Sequence, residues 1–411
     1  MNTQRFMFAP SILAACLAGL LSGCGGGGAD EPTAAAQSAD TTSHALAADV
    51  SADAASSTVL APYFATWAFN DHSYNAYSLM DAKGKVGLKA ATLAFIVAGS
   101  SGCSWDDGGK IIDVDMKSDI AKFQAAGGKV IVSFGGADGK YLEAACSASQ
   151  MSNLIDGLIQ RHNIRDLDFD VEGSQLSNSA LNKVRNAAIK TLQARYPGLS
   201  ISFTLPVMPE GMDSTAVNLV KGAVAAGVKV SVVNVMAMDY GYNGDMGRFA
   251  IQAAQNTAKQ LAAVYPGKSN AQLLAMVGIT PMIGHNDDAG IFTVTHAKAV
   301  STFAKDNGIP RLAYWDFQRD ATGPSGDQGS GSNSANFQFY KAFATAQGGT
   351  TPPTGGCTYV TWQDNHNYPK GTIVKYPPNG KFYKEVNAGT NGSDGTDPTI
   401  STWYWQPTSC Q

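Results

Sequence analysis

The stretch DLDFDVEG, Asp166 to Gly173, alternates acidic and apolar residues without a break: Asp166, Asp168, Asp170 and Glu172 are separated by Leu167, Phe169 and Val171. A period of two is the period of a β-strand, on which alternate side chains share a face. The carboxylates then form one ridge, with neighbours about 6.5–7 Å apart at Cα. In a chain with only 15% charged residues, such a ridge is costly if buried, because like charges in a poorly solvated place drive at least one proton back on. The group that keeps this proton is a candidate general acid. Two plainer readings compete. A helix–loop–helix calcium site also alternates acids, but it needs Gly at its sixth position and polar residues between the ligands. Here the sixth position is Val171, and Leu167 and Phe169 fill the gaps. A solvated edge strand fits poorly because the residues turned away from the acids are all apolar.

Working outward, similar short β-branched or aromatic runs recur on both sides. Before the ridge come PYFATWAF (from Pro62), ATLAFIVAG (from Ala91) and KVIVSFGG (from Lys129). After it come LSISFTLPV (from Leu199), KVSVVNVMAMDY (from Lys229), LLAMVGITPM (from Leu273) and RLAYWDF (from Arg311). Amphipathic helical patterns such as MSNLIDGLIQRH and SALNKVRNAAIKTLQARY fill most gaps. Strands alternating with helices pair in parallel, and eight of them in about 290 residues fit the α/β class as a (β/α)8 TIM barrel. An open doubly wound sheet is the rival. In a barrel of this kind the chemistry sits at the C-terminal strand ends, here Gly135 and Gly136, Glu172, Asp239 with Tyr240, and Trp315 with Asp316.

The flanks have a different composition. Residues 1–24 read as a bacterial lipoprotein leader: Arg5, an apolar run from Phe6 to Leu21 too short to remain as a membrane span, and LSGC ending at Cys24, the expected lipidation site. Residues 25–58 are small and polar and read as a flexible tether. The barrel is expected over 59–346, a linker over 347–356 and a small all-β module over 357–411. The mature protein is thus expected outside the cytoplasm, secreted or lipid-anchored at the cell envelope. In that setting Cys103 with Cys146, and Cys357 with Cys410, read as a disulfide in each domain. Cys and His spacing suggests no metal site, and no cofactor is expected. With 29 basic against 33 acidic residues, no basic field points to nucleic acid, and the membrane is reached through the lipid anchor alone.

Four motifs in order give a family resemblance. The ridge resembles the D-G-x-D-x-D-x-E signature of family 18 glycoside hydrolases, the chitinase family. SFGG (Ser133–Gly136) is similar to that family's S-x-G-G on strand three, MAMDYG (Met236–Gly241) to its strand-six motif, and Trp315 to the tryptophan closing strand eight. The resemblance implies that Glu172 protonates the glycosidic oxygen, and that Asp170 orients the substrate N-acetyl group and shares a proton with Asp168. It implies a retaining reaction in which the sugar's own acetamido oxygen forms an oxazolinium ion. Asp239, Met236 and Tyr240 would contribute to sugar binding, and Trp315 would be the floor under the reacting sugar, unless it is simply a core tryptophan. The sequence departs from the signature at Arg165 and Asp166, where the family has Asp and Gly, and at Met238, where it often has Tyr. Asp166 pairs with Arg165 or with another base.

YPKGTIVKYPPNGKFYKEVNAG (Tyr368–Gly389) and WYW (Trp403–Trp405) resemble chitin-binding modules of carbohydrate-binding families 5 and 12. Trp403 and Trp405, with Tyr404, are candidates for stacking on a polysaccharide surface, and some of them must be core. The expected function is a monomeric chitinase acting on chitin and chitooligosaccharides. An endo-β-N-acetylglucosaminidase sharing the same acids, or a non-catalytic chitin-binding lectin, are the alternatives.

Overall fold

The computed structural model describes residues 58–323, 329–332, 334–347, 359–364, 366–387, 396–401 and 403–408. The leader, Cys24, most of the tether, the linker from residue 348 on, Cys357 and Cys410 lie outside the described residues. The described residues all belong to one compact unit.

The strands are β1 (Val59–Leu60), β2 (Tyr63–Ala65), β3 (Ala90–Ile96), β4 (Lys129–Gly135), β5 (Asp166–Asp170), β6 (Ser200–Pro206), β7 (Val232–Met236) and β8 (Val277–Thr280). A short antiparallel pair, β9 (Gly284–His285) and β10 (Ile291–Phe292), precedes β11 (Arg311–Leu312). The main sheet is parallel, in the order β1-β11-β8-β7-β6-β5-β4-β3-β2. Its two ends are consecutive in sequence, and this closes the sheet. Ala61 N–H donates to Leu312 O at 2.8 Å and Tyr63 N–H to Tyr314 O at 3.1 Å, while Pro62 O accepts from Thr92 N–H at 2.9 Å. β1 and β2 are therefore one strand, interrupted where Pro62 has no N–H to give. Its first half pairs with the last strand and its second half with β3. The cylinder has eight staves, and the open-sheet alternative is excluded.

Helices wrap the outside. Ala148–His162 starts in a capping box made by Ser147 and Gln150, buries Met151, Ile155, Leu158 and Ile159, and ends at Asn163 in the left-handed conformation. These apolar faces meet the outward sides of the strands. Leu167, Phe169 and Val171 are buried in this layer, and Phe169 packs on Phe134 (ring centroids 5.3 Å) and Phe203 (6.0 Å). Burial of each such ring contributes about 2–3 kcal/mol, so the outward face of β5 anchors the strand while its inward face is free to carry acids. Cys103 and Cys146 form the expected disulfide, joining the segments that follow β3 and β4.

A second, four-stranded sheet contains β12 (Val360–Thr361), β13 (Ile373–Lys375), β14 (Phe382–Glu385) and β15 (Trp405–Thr408). Its core is aromatic: Trp362, Tyr368, Tyr376, Tyr383 and Trp405 around Val374. Trp405 is 1% exposed and its Nε1 donates to Thr396 O at 2.9 Å. It is a core residue and not the surface contact that the sequence suggested, because so small a sheet needs large rings to fill its interior. Trp403 is 70% exposed. This sheet meets the barrel through polar contacts, Gln252 to Asp364 at 3.0 Å and Lys375 to Asp306 at 3.0 Å.

Candidate active site

The four acids of the ridge have four different environments, set by height in the barrel. Asp166 lies at the N-terminal end of β5, ion-paired with Lys129 at 2.9 Å and near Arg311 at 3.8 Å. Arg165 is not its partner; that guanidinium donates to Ile164 O at 2.9 Å and lies over the Tyr196 ring. Where the signature has Gly, this chain has a buried acid paired with Lys129 of the adjacent β4 and approached by Arg311 of β11 from across the barrel.

One layer higher, the register sets Ser133 of β4 and Ser202 of β6 beside Asp168. Asp168 accepts from Ser133 Oγ (2.7 Å), Ser202 Oγ (2.5 Å), Tyr63 OH (3.0 Å) and Thr204 Oγ1 (2.9 Å). The next layer sets Gly135 and Thr204 beside Asp170. Gly135 has φ +103°, and a Cβ there would fall 2.1 Å from Asp170 O, so only glycine admits this approach. Asp170 is buried, and its Oδ1 has no hydrogen-bond partner. Burial first, then the charges of Glu172 and Asp168, raise its pKa well above the ordinary carboxylate range.

Glu172 lies just past the end of β5. Its N–H donates to Tyr141 OH at 3.0 Å, and that hydroxyl donates to Gly136 O at 2.9 Å, so the loop after β4 holds the backbone in place. Its carboxyl is half-buried, and burial, then Asp138 and Asp239, push its pKa up to about 7. A carboxyl that keeps its proton near neutrality can donate it in a reaction.

Asp170 and Glu172 open into a cavity of about 180 Å³ with Tyr63, Met236, Met238, Asp239, Asp287 and Trp315 in its walls. Trp315 is partly exposed, lines this cavity and stacks on Phe95 (5.6 Å, 14° between planes). An aromatic plane of this kind suits the apolar face of a sugar ring, leaving the hydroxyls at the edge free to hydrogen-bond. Asp239 takes a left-handed conformation (φ +51°) just past β7. Its N–H donates to Asn286 Oδ1 at 2.9 Å and its Oδ1 accepts from Asp287 N–H at 2.8 Å, which ties it to the segment between β9 and β10. Burial raises its pKa, with Asp287 and Asp288 adding repulsion.

Tyr240 does not belong to the cavity. It is buried on the other side of that turn against Phe249 (5.8 Å) and Tyr242 (6.2 Å). The positive φ values at Asp239 and Gly241 break the strand alternation there, so neighbouring side chains diverge. Met236, Asp239 and Trp315 all line this one cavity. Tyr63, Phe95, Asp138, Tyr141 and Asp287 were missed. Tyr63 lies on a recognised strand, where inward parity was a usable signal; Phe95 breaks parity, because β3 shifts register between Leu93 and Ile96 and both Ala94 and Phe95 turn to the inside. Asp138, Tyr141 and Asp287 come from loops, whose spacing does not fix side-chain direction.

No protein-family model matches the chain. It is 32% identical over 251 residues to a probable bifunctional chitinase/lysozyme of Escherichia coli, covering 56% of this chain and 28% of that protein. It is 31% identical over 245 residues to Endochitinase 11 of Metarhizium anisopliae, covering 56% of this chain and 47% of that protein. The chain thus spans between about a quarter and a half of the length of these curated relatives. Among solved structures, active domain 2 of a chitinase from Pyrococcus furiosus superposes with TM-score 0.62 at 29% identity, covering 71% of this chain and 96% of that domain. The barrel shares the fold of that domain.

Proposed function

We propose that the chain is a glycoside hydrolase that cleaves β-1,4-linked N-acetylglucosamine polymers with retention. The observation that carries this reading is the meeting, in one cavity, of a carboxyl protonated to about pH 7 (Glu172), a buried carboxyl with a free oxygen (Asp170), and an aromatic floor (Trp315). Similarity to chitinases over 56% of the chain supports the choice of polymer.

In the proposed reaction the sugar lies on Trp315. Asp170 accepts the acetamido N–H and turns the acetamido oxygen toward the anomeric carbon. Glu172 gives its proton to the glycosidic oxygen as that bond breaks and the acetamido oxygen bonds to carbon, forming an oxazolinium ion. Glu172, now ionised, takes a proton from the water that opens the ring from the same face as the departed group, which restores the β configuration. Asp168, saturated with hydroxyl donors, stands behind Asp170 as the group with which it shares charge. Asp239 holds the acetamido group from the opposite wall. In the four-stranded sheet, Trp403 is the proposed surface contact for insoluble polymer. The leader supports export with anchoring through Cys24.

The reading is tested by following a chitin hexamer by proton NMR during the first turnovers. New reducing ends should be β-anomers that later equilibrate. Initial α-anomers, or no cleavage, would overturn it.

A further inference from the structure

In a parallel ladder a residue gives its N–H to one residue of the neighbouring strand and accepts, at its C=O, from the residue two further on. Gly136 begins such a pair at the end of β4: its N–H donates to Asp170 O at 3.1 Å. Its carbonyl would then take the N–H of Glu172, but that bond is not made. The hydroxyl of Tyr141 stands in its place, accepting from Glu172 N–H at 3.0 Å and donating to Gly136 O at 2.9 Å. One side-chain oxygen is thus spliced into the ladder, at the residue that carries the proposed general acid.

The surroundings hold this oxygen firmly. Gly135 makes room for the ring, since a Cβ there would lie 3.2 Å from Tyr141 Cζ. Tyr141 is buried, and burial raises the pKa of its hydroxyl, which stays protonated and so serves as acceptor and donor at once. The residue leads into a short 3-10 turn, Leu142–Ala144, whose Ala144 N–H donates to Tyr141 O at 3.0 Å. Within that turn Glu143 is buried against Arg185 at 2.5 Å, on the helix Ser179–Arg195 that follows Glu172. Just beyond the turn, Cys146 is bonded to Cys103. Tyr141 is not among the residues that line either cavity bordered by Glu172. Its hydroxyl therefore reaches the site only through the backbone.

We propose, resting on the function above, that Tyr141 is a positioning residue for proton transfer: its hydroxyl sets where the Glu172 carboxyl stands against the glycosidic oxygen. Without that hydroxyl, Glu172 N–H either closes directly on Gly136 O or loses its partner. Both outcomes move the backbone that carries the carboxyl. A displacement on the order of 1 Å costs roughly 10²-fold in a step that depends on alignment. The steps affected are those in which Glu172 gives or takes a proton. Asp170 is spared, because its stretch of β5 is held by backbone groups instead: Asp170 O accepts from Gly136 N–H, and Val171 N–H donates to Thr204 O at 3.0 Å.

The test uses Tyr141→Phe, which keeps the ring beside Gly135 and removes only the hydroxyl. Two β-glycosides of the N-acetylglucosamine disaccharide are compared, differing in the leaving group alone. Phenyl needs a proton to depart, whereas 2,4-dinitrophenyl departs as a stable anion without one. In each case kcat/KM reports the step that releases the leaving group. For the variant it should drop on the phenyl glycoside and hold on the dinitrophenyl glycoside, so that the phenyl-to-dinitrophenyl ratio falls at least ~10-fold. A smaller fall in the ratio overturns the proposal, whether both rates drop, as they would if the hydroxyl only supported the fold, or neither does. If the unaltered protein cleaves neither glycoside nor the chitin hexamer, the function above fails instead.

Discussion

Asp168 and Asp170 stand two residues apart on the same face of β5, yet Asp168 accepts hydrogen bonds from four hydroxyls while Asp170 keeps an oxygen with none. The parallel register causes the difference: serines flank the lower acid, while Gly135 and Thr204 flank the upper one. Donors are spent on the acid that needs holding, and the acid facing the cavity is left to meet substrate.

The pH dependence of activity should reflect Glu172. Its proton is held to about 7, and a general acid acts only while protonated, so kcat/KM on acetylated oligosaccharides should fall as pH rises through about 7. Asp138→Asn removes a repelling charge, so the proton is held less firmly and this limb should move to lower pH. A limb that stays in place would show that the field of Asp138 does not reach Glu172.

Stability should change with pH in a definite direction. Asp316 and Asp320 are pushed by burial from 3.8 up to about 6, and Glu172 from 4.5 to about 7. Over that window the folded state binds more protons than the unfolded chain, so stability falls as pH rises. His296, held below its ordinary value by burial, works the opposite way, but it is a single group. Thermal unfolding followed by circular dichroism should therefore give a lower Tm at pH 7 than at pH 5. At still lower pH the trend should reverse, because Asp113 is held below 3.8 despite its burial by Arg161, Trp105 and His162. A Tm that rises steadily from pH 5 to 7 would contradict this reading.

The Cys103–Cys146 bridge closes a loop with a sequence separation of 43. On chain-entropy grounds a loop of this size contributes about 4 kcal/mol. A Cys103→Ser, Cys146→Ser double variant should lose stability of that order in denaturant titration. No loss would show that the loop is constrained by its packing alone.

The two tryptophans of the small sheet should separate in their effects. Trp405→Ala removes a buried ring from the core and should cost about 3–5 kcal/mol, enough to unfold that sheet. Trp403→Ala should leave the fold intact and weaken adsorption to insoluble chitin. Equal adsorption by the Trp403 variant and the unaltered protein would assign the contact elsewhere.

How much of this was legible in the sequence follows from strand periodicity. Period two fixes which residues share a face, so the ridge, its apolar reverse and the barrel were readable from Asp166–Gly173 and its neighbouring runs. Alternation fails once the backbone leaves the strand. Asp239 at φ +51° sends Tyr240 away from the cavity; Asp and Gly in MAMDYG permit such a turn, but their presence does not fix where the strand ends. The partner of Asp166 was undecidable because Lys129 and Arg311 lie on strands remote in sequence. In WYW, parity separates Trp403 and Trp405 from Tyr404, but the burial of one tryptophan and exposure of the other depends on where β15 begins.

The most direct measurement is hydrolysis of the fully acetylated chitin hexamer by Glu172→Gln, with binding of the same hexamer measured in parallel by calorimetry. The substitution keeps the shape and removes the transferable proton, so turnover should fall by at least ~10³-fold while the hexamer still binds. Turnover within about tenfold of the unaltered protein, with binding intact, would contradict the account.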